Sequence, residues 1–171
     1  MDAWDAYQAR RNVRQYTGQP IDAADLDRIL EAGRRAPSAG NRQPWDFVVV
    51  TDRAKLAALA TVWRGAGHIA GSAATIVLVR PMPPDPAQEP TMNFDLGQAA
   101  MGMAVVAADL GIGSGHAAIG DQARARELLG VPADHWCAYM LALGYPADRP
   151  LKPMRRPARR PFDEVVHREQ W

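Results

Sequence analysis

The chain has 171 residues, of which 47% are apolar and 23% are charged, and its net charge is +1. This length favours a single domain, and the apolar content argues against intrinsic disorder. The balanced charge argues against a surface built to bind polyanions, so we expect no nucleic-acid partner. The one cysteine, Cys137, cannot form an internal disulfide, which is typical of a reducing, cytoplasmic compartment.

The N-terminal third predicts two helices and a strand. The first helix is short and covers residues 2–11. The second follows the N-cap residue Asp22 and ends near Ala36, because Pro37 disfavours helix in the residue before it. The β-branched run Trp45–Thr51 predicts a strand.

A third helix is predicted to begin at Asp52, and the fully apolar run Thr75–Val79 predicts a central strand. Five prolines between residues 81 and 90 predict an exposed loop. The helix that follows, from about Met92 to Leu110, is apolar nearly all round, but its polar residues and glycines argue against a membrane helix. In a chain this small, such a helix is hard to bury without a partner subunit.

The C-terminal part predicts a short helix near Asp121–Leu129 and a third strand at Cys137–Leu143. From Pro146 the composition changes to proline and arginine. Helices and strands alternate, but not as regular βαβ units, so we predict an α+β fold with a single domain over residues 1–171.

Three guanidinium groups, those of Arg10, Arg11 and Arg14, lie within five residues. Such a cluster can surround a phosphate with charged, directional donors. The alternative is a solvated charged turn, because charge runs usually face water.

The loop from Ala36 to Trp45 offers a hydroxyl, two amides and free backbone donors between two prolines. A flat heteroaromatic ligand needs such donors and acceptors, but an ordinary helix-to-strand turn has the same composition.

A glycine run at Leu110–Gly115 suggests a dinucleotide fingerprint, but His116 occupies the position of its last glycine and the run follows a helix. The basic tail contains Lys152, Arg155, Arg156, Arg159 and Arg160. Without interleaved aromatic residues, this tail does not indicate nucleic-acid binding, and a disordered tail is the simple alternative.

Five segments in this order resemble the nitroreductase family of FMN-dependent oxidoreductases, and its compact members in particular. They are RRNVRQYT, LDRILEAGRRAPSAGNRQPWDFVVV, AADLGIGS, LALGYP and RRPFDEVVH. The resemblance extends from about Ala6 to the C-terminus. It implies a central mixed or antiparallel sheet flanked by helices, with the long helix at the interface of a homodimer that holds FMN between its subunits.

The resemblance also implies roles for individual residues. Arg10 corresponds to a phosphate ligand, Arg11 and Asn12 to neighbours of the phosphate and ribityl chain, and Arg14 to a cation at the ribityl and pyrimidine edge. The remaining cofactor contacts that it implies are Pro37, Ser38, Ala39 and Asn41 from the partner subunit, the backbone of Ile119 and Gly120 near the flavin ring, and Arg159 or Arg160 at the phosphate. The C-terminal arm, about residues 147–171, is expected to pack on the partner.

Family members often have Asn and Gln before the second strand, close to the pyrimidine, whereas this chain has Gly67 and His68 there. His68 is a candidate substitute. The other histidines show no metal-ligand spacing, so we expect no metal. Asp95 and Asp109 are interpreted as helix-end charges rather than acid–base catalysts.

The implied activity is hydride transfer from NAD(P)H through FMN to an electron-poor acceptor, such as a nitroaromatic or a quinone, in ping-pong order. Because the cofactor supplies the chemistry, no catalytic side chain is predicted. The alternative is a flavin protein of the same fold that is not a reductase: a dehydrogenase or oxidase, a sensor or a carrier.

Overall fold

The computed structural model describes all residues from 1 to 171. It contains five α-helices and four β-strands. In chain order these are α1 (Ala3–Ala9), α2 (Ala23–Arg34), β1 (Asp46–Val50), α3 (Arg53–Leu59), β2 (Ala74–Pro81), α4 (Glu89–Asp109), β3 (Gly113–Ala118), α5 (Gln122–Leu129) and β4 (His135–Gly144).

The four strands form one antiparallel sheet in the order β1-β2-β4-β3. The α+β prediction is therefore confirmed, and β2 is a central strand, as its apolar run predicts. Strand β3 was not predicted, because its residues Gly, Ser, His and Ala have little preference for strands. Pairing with β4, where Ser114 lies opposite Leu143, makes this segment a strand despite its composition.

The sheet has a hydrophobic core on each face. One core lies against α3 and α5, and the other against α2 and α4. Large, fully buried side chains of the first core include Leu56, Leu59, Ile69 and Met140, and those of the second include Ile29, Met103, Leu141 and Leu143. Alternate residues of β2 and β4 face opposite cores, so these two strands are buried on both sides.

The predicted helices are all present, and their ends differ from the predictions by a few residues. Aspartates cap three of them: Asp2, Asp52 and Asp121 each accept a backbone N–H three residues further along the chain. Asp22 occupies the predicted N-cap position of α2, but its side chain makes no capping hydrogen bond.

Helix α4 is buried along most of its length, as predicted, by α1, α2, β3 and the sheet. Gly33 of α2 gives Met103 of α4 room to pack closely, because a Cβ atom there would overlap the terminal methyl group of Met103. An open stripe remains on α4 along Phe94, Gly97, Met101 and Val105. No helix of the protein has both the length and the apolar content needed to cross a bilayer.

Candidate functional site

The arginine cluster follows α1 and lies along the free edge of β3. The N–H of Val13 donates to the carbonyl of Ser114 at 2.8 Å, and Asn12 forms a parallel bridge with the same residue. Because side chains alternate in an extended segment, Arg10, Asn12 and Arg14 are directed away from the side on which Val13 is buried. The cluster is thus held on the sheet rather than in a solvated turn.

Gly115 permits this close approach. A Cβ atom at this position would overlap the carbonyl oxygen of Val13 and would also lie 3.0 Å from the Tyr16 hydroxyl and 3.2 Å from Nε2 of His68. Tyr16 in turn donates to the Val13 carbonyl at 2.8 Å. The glycine run therefore serves to seat the arginine segment on β3.

The three arginines differ in their partners. Arg11 donates to Oδ1 of Asp148 at 2.6 Å and to the Arg149 carbonyl at 2.8 Å. This hydrogen bond from Arg11 lowers the pKa of the Asp148 carboxyl below its usual range. Arg10 and Arg14 form no ion pair. The cluster thus provides two uncompensated cations, and the third arginine fastens the C-terminal segment.

Three buried side-chain atoms have no hydrogen-bond partner in the whole chain, and all three lie around this edge of β3. They are Nε of Arg10, Nε2 of His68 and Oγ of Ser114. A buried polar atom without a partner costs about 1–3 kcal/mol, so natural proteins keep few of them. Their concentration here indicates a site for a polar ligand.

Two histidines adjoin the arginines, and both have a lowered pKa. Burial is the main cause for His68, and the charge of Arg14 adds to it, whereas the nearby Gly115 and Gly65 carbonyls oppose it. For His116 burial is again the main cause, followed by the charges of Arg10 and His68. Both imidazoles are therefore neutral near pH 7, and the positive charge of the site belongs to its arginines.

His116 and Ser114 are site residues that the sequence analysis did not identify. Both project from β3 toward α4, and His116 lines an apolar cavity of about 330 Å³ with Leu78, Met101 and Tyr139. These two residues could have been identified only if residues 113–118 had been predicted as a strand. Side chains alternate between the two faces of a strand, so residues 114 and 116 would then lie on one face.

The predicted loop at residues 37–41 lies against α4 and has an unusual backbone. Gly40, Asn41 and Gln43 have positive φ angles of 58°, 55° and 50°. For residues other than glycine, the left-handed backbone region is energetically unfavourable. Residues that adopt it are concentrated at functional sites. Asn41 is exposed, whereas Oγ of Ser38 accepts the N–H of Gln43 at 2.9 Å and shapes the turn.

Asp95 holds this loop, which corrects its interpretation as a helix-end charge. Its side chain, 3% exposed, accepts the N–H of Ala39 at 3.1 Å on Oδ2 and 3.3 Å on Oδ1. Asp109 does lie at the end of α4, where it binds the N-terminal amine and Arg28. No hydrogen bond or ion pair joins the loop to the arginine segment of the same chain.

Ile119 and Gly120 lie just beyond β3. Ile119 is 8% exposed and belongs to the core. The N–H of Gly120 donates to the carbonyl of Val62 at 3.1 Å, and the N–H of Asp121 donates to the same oxygen at 2.9 Å. These bonds fasten the segment to the loop that contains Trp63 and His68.

The C-terminal segment is fastened to the arginine cluster near its start, where Arg11 binds Asp148 and Arg149, and every residue from Lys152 onward is exposed. Arg160 pairs with Glu164 at 3.4 Å, whereas Arg159 contacts only the carbonyl of Ala158. Within one chain, the structure does not bring either arginine to Arg10. No group of three or more His, Cys, Asp or Glu side chains is arranged to hold a metal ion.

The comparisons with known proteins agree with this fold. The model of the nitroreductase family matches residues 7–67 and 61–145. A protein of Archaeoglobus fulgidus named NADH dehydrogenase/NAD(P)H nitroreductase is 33% identical over 168 residues, which cover 95% of this chain and 94% of that protein. The chain therefore belongs to the nitroreductase family.

Solved structures show the same architecture. An NADH oxidase from Clostridium acetobutylicum superposes with a TM-score of 0.86 at 24% identity, covering 98% of this chain and all of the other. The NADPH:FMN oxidoreductase from Vibrio harveyi, solved with NAD⁺, superposes with a TM-score of 0.79 at 26% identity. That match covers 97% of this chain and 76% of the Vibrio chain.

Proposed function

We propose that this protein is an FMN-dependent oxidoreductase that transfers reducing equivalents from NAD(P)H to small electron-poor acceptors such as nitroaromatics or quinones. The observation that carries the proposal is the pair of uncompensated cations, Arg10 and Arg14, on the edge of β3 beside the partnerless atoms of Arg10, His68 and Ser114. Membership of the nitroreductase family supports the choice of FMN.

The residues at this edge fit the chemistry of FMN. A phosphate monoester is an anion with several acceptor oxygens, which matches Nε of Arg10 and a second guanidinium. Asn12, exposed beside it, has an amide that suits the ribityl hydroxyls. Arg11 remains a phosphate candidate, although its bond to Asp148 favours a supporting role.

At the other end of the cluster, Arg14 and His68 suit the pyrimidine edge. FMN, when bound, accepts a hydride from NAD(P)H and passes reducing equivalents to the acceptor. Arg14 would stabilise negative charge that develops beside it, as donors do in an oxyanion hole. His68, neutral because its pKa is lowered, can donate or accept one hydrogen bond there.

The active form in this proposal is a homodimer with FMN at the subunit interface. The loop with Pro37, Ser38, Ala39 and Asn41 would contact the partner's flavin, as the family resemblance implies. The open stripe of α4 includes Phe94, which is 68% exposed. A second copy covering this stripe would complete the burial of the helix.

The C-terminal arm, about residues 147–171, would pack on the partner subunit. It exposes Phe162 at 64% and Val165 at 49%, apolar surface that packing on the partner would bury. In that position Arg159, which has no carboxylate partner, is better placed than Arg160 to reach the phosphate. The cytoplasm is the proposed compartment, since the one cysteine is a buried thiol.

The activity can be tested by steady-state oxidation of NADH and NADPH with a nitroaromatic or quinone acceptor. We expect parallel double-reciprocal plots when both substrates are varied, because a ping-pong enzyme releases the oxidised nicotinamide before the acceptor binds. A protein that holds FMN but is not reduced by either nicotinamide would contradict the reductase and would favour a sensor or carrier. If NAD(P)H reduces the bound flavin and only molecular oxygen, not the added acceptors, reoxidises it, the result would favour an oxidase.

A further inference from the structure

Trp63 and Arg64 form an exposed pair beside the proposed flavin site. Trp63 is 38% exposed, and Cζ of Arg64 lies 5.3 Å from the centroid of the indole ring. Arg64 is exposed and forms no ion pair. A cation over an indole face is mutually attractive, so the two side chains hold each other in place.

Two glycines fix the position of this indole. A Cβ atom on Gly120 would lie 2.5 Å from Cε3 of Trp63, and one on Gly65 would lie 3.2 Å from its Nε1. The six-membered ring therefore rests on the backbone of Gly120, and the five-membered ring rests on Gly65. The carbonyl of Val62, the residue before Trp63, accepts the N–H groups of Gly120 and Asp121.

These contacts place the pair on a rigid support. The loop that carries it is bonded at one end to the segment after β3 and continues at the other end to His68, which lies against Gly115. The pair thus lies at the border of the same site to which Arg10 and Arg14 belong. Apart from its contact with Trp63, the exposed guanidinium of Arg64 takes part in no ion pair and in no proposed cofactor contact.

We propose that Trp63 and Arg64 form the acceptor-recognition site and select planar aromatic acceptors that carry a carboxylate. This proposal rests on the proposed function and on the position near Ile119 and Gly120 that the family resemblance implies for the flavin ring. The part of the indole that Arg64 and the two glycines leave uncovered provides apolar aromatic surface for the ring of the acceptor, and aromatic pairs of this kind are attractive. The guanidinium of Arg64 is free to bind the carboxylate with two parallel hydrogen bonds.

The proposal can be tested with two acceptors that differ in charge but have similar size, 4-nitrobenzoate and the neutral 4-nitrobenzamide. In the FMN-loaded protein, Arg64→Ala is expected to raise KM for 4-nitrobenzoate by about fivefold, the effect of losing one solvent-exposed charge pair. KM for 4-nitrobenzamide and the affinity for FMN should not change. Arg64→Lys should raise this KM less than Arg64→Ala does, since lysine keeps the positive charge but cannot form two parallel hydrogen bonds to the carboxylate.

Trp63→Leu is expected to raise KM for both acceptors, because both lose the aromatic surface. Arg124→Ala is the matched control: Arg124 is an exposed arginine on α5 that pairs only with Glu127. It should leave both acceptors unaffected. Isothermal titration of 4-nitrobenzoate into the FMN-loaded protein without NAD(P)H should show the same dependence on Arg64 in binding alone.

An equal effect of Arg64→Ala on the two acceptors, or no effect on either, would overturn the assignment of Arg64. Unchanged kinetics in Trp63→Leu would overturn the assignment of Trp63. Failure of the proposed function has a different signature, since the wild-type protein would then reduce neither acceptor. In that case, loss of 4-nitrobenzoate binding in Arg64→Ala would still support the site, and unchanged or undetectable binding would overturn it.

Discussion

Asp95 of α4 accepts the backbone N–H of Ala39 and so fixes a loop whose neighbouring residues have left-handed backbone. The carboxylate is 3% exposed and forms no ion pair. Its other polar neighbour is the Gln98 amide, which donates at 3.5 Å. Burying a carboxyl group with so few polar partners is costly, which indicates that the position of the loop matters.

Asp95→Ala is expected to weaken FMN binding, because the loop would lose the hydrogen bond that keeps Asn41 in place. Asp95→Asn retains an acceptor oxygen and should bind FMN nearly as well as the wild type. FMN titration of both variants, with limited proteolysis of the loop, measures the effect. Equal affinities in the alanine and asparagine variants would show that the hydrogen bond does not position the loop.

Gly115→Ala should separate the arginine segment from β3, because the new methyl group would overlap the Val13 carbonyl. We expect the free energy of unfolding to fall by about 1–3 kcal/mol, the usual cost of overpacking. Gly71→Ala is the control, since a Cβ there meets nothing within 4 Å. Chemical denaturation compares the two, and a Gly115→Ala variant as stable as the control would contradict this packing.

The sequence predicted most elements of the fold because their signals are local. The apolar runs of β1, β2 and β4 and the aspartates before α3 and α5 need no tertiary information. Strand β3 could not be predicted, since only its pairing with β4 makes it extended. Residue types alone made the arginine cluster and the loop from Ala36 to Trp45 candidate ligand sites, and the family resemblance then favoured this interpretation over a solvated turn and an ordinary loop.

The roles of Asp95, Ser114, His116 and Trp63 could not be predicted from sequence. Each depends on a contact with a residue far along the chain, such as that between Trp63 and Gly120. The difference in partners among the three arginines also depends on tertiary structure, because Asp148, which binds Arg11, is 137 residues away from it along the chain.

Arg10→Ala is expected to weaken FMN binding by about 1.5–3 kcal/mol, the scale of a hydrogen bond to a charged group. The same variant should bind riboflavin, which has no phosphate, as well as the wild type does. Arg124→Ala serves as the control for a general loss of positive charge. Unchanged FMN affinity in Arg10→Ala would show that the phosphate lies elsewhere.

The stability of the FMN-free protein should decrease as the pH falls below 6.5, the ordinary pKa of histidine. His116 has a lowered pKa in the folded chain, so the unfolded chain binds its proton at a higher pH than the folded chain does. Stability is thus lost between pH 6.5 and the folded pKa. Urea denaturation at several pH values should give a flatter profile for His116→Gln, and an unchanged profile would exclude this imidazole as a contributor.

Phe94→Glu should convert the protein to a monomer with weakened FMN binding. In a monomer this exposed side chain makes little contribution to stability, so a large effect requires a partner on the stripe of α4. Light scattering and FMN titration measure both properties. A wild-type monomer that still binds flavin would contradict the shared site.

The central claim is that the edge of β3 holds FMN, and the visible spectrum of the purified protein tests it most directly. We predict a flavin spectrum, either as purified or after addition of FMN, and release of FMN on denaturation. A colourless protein that does not take up FMN would contradict the assignment of the arginine segment as the cofactor site.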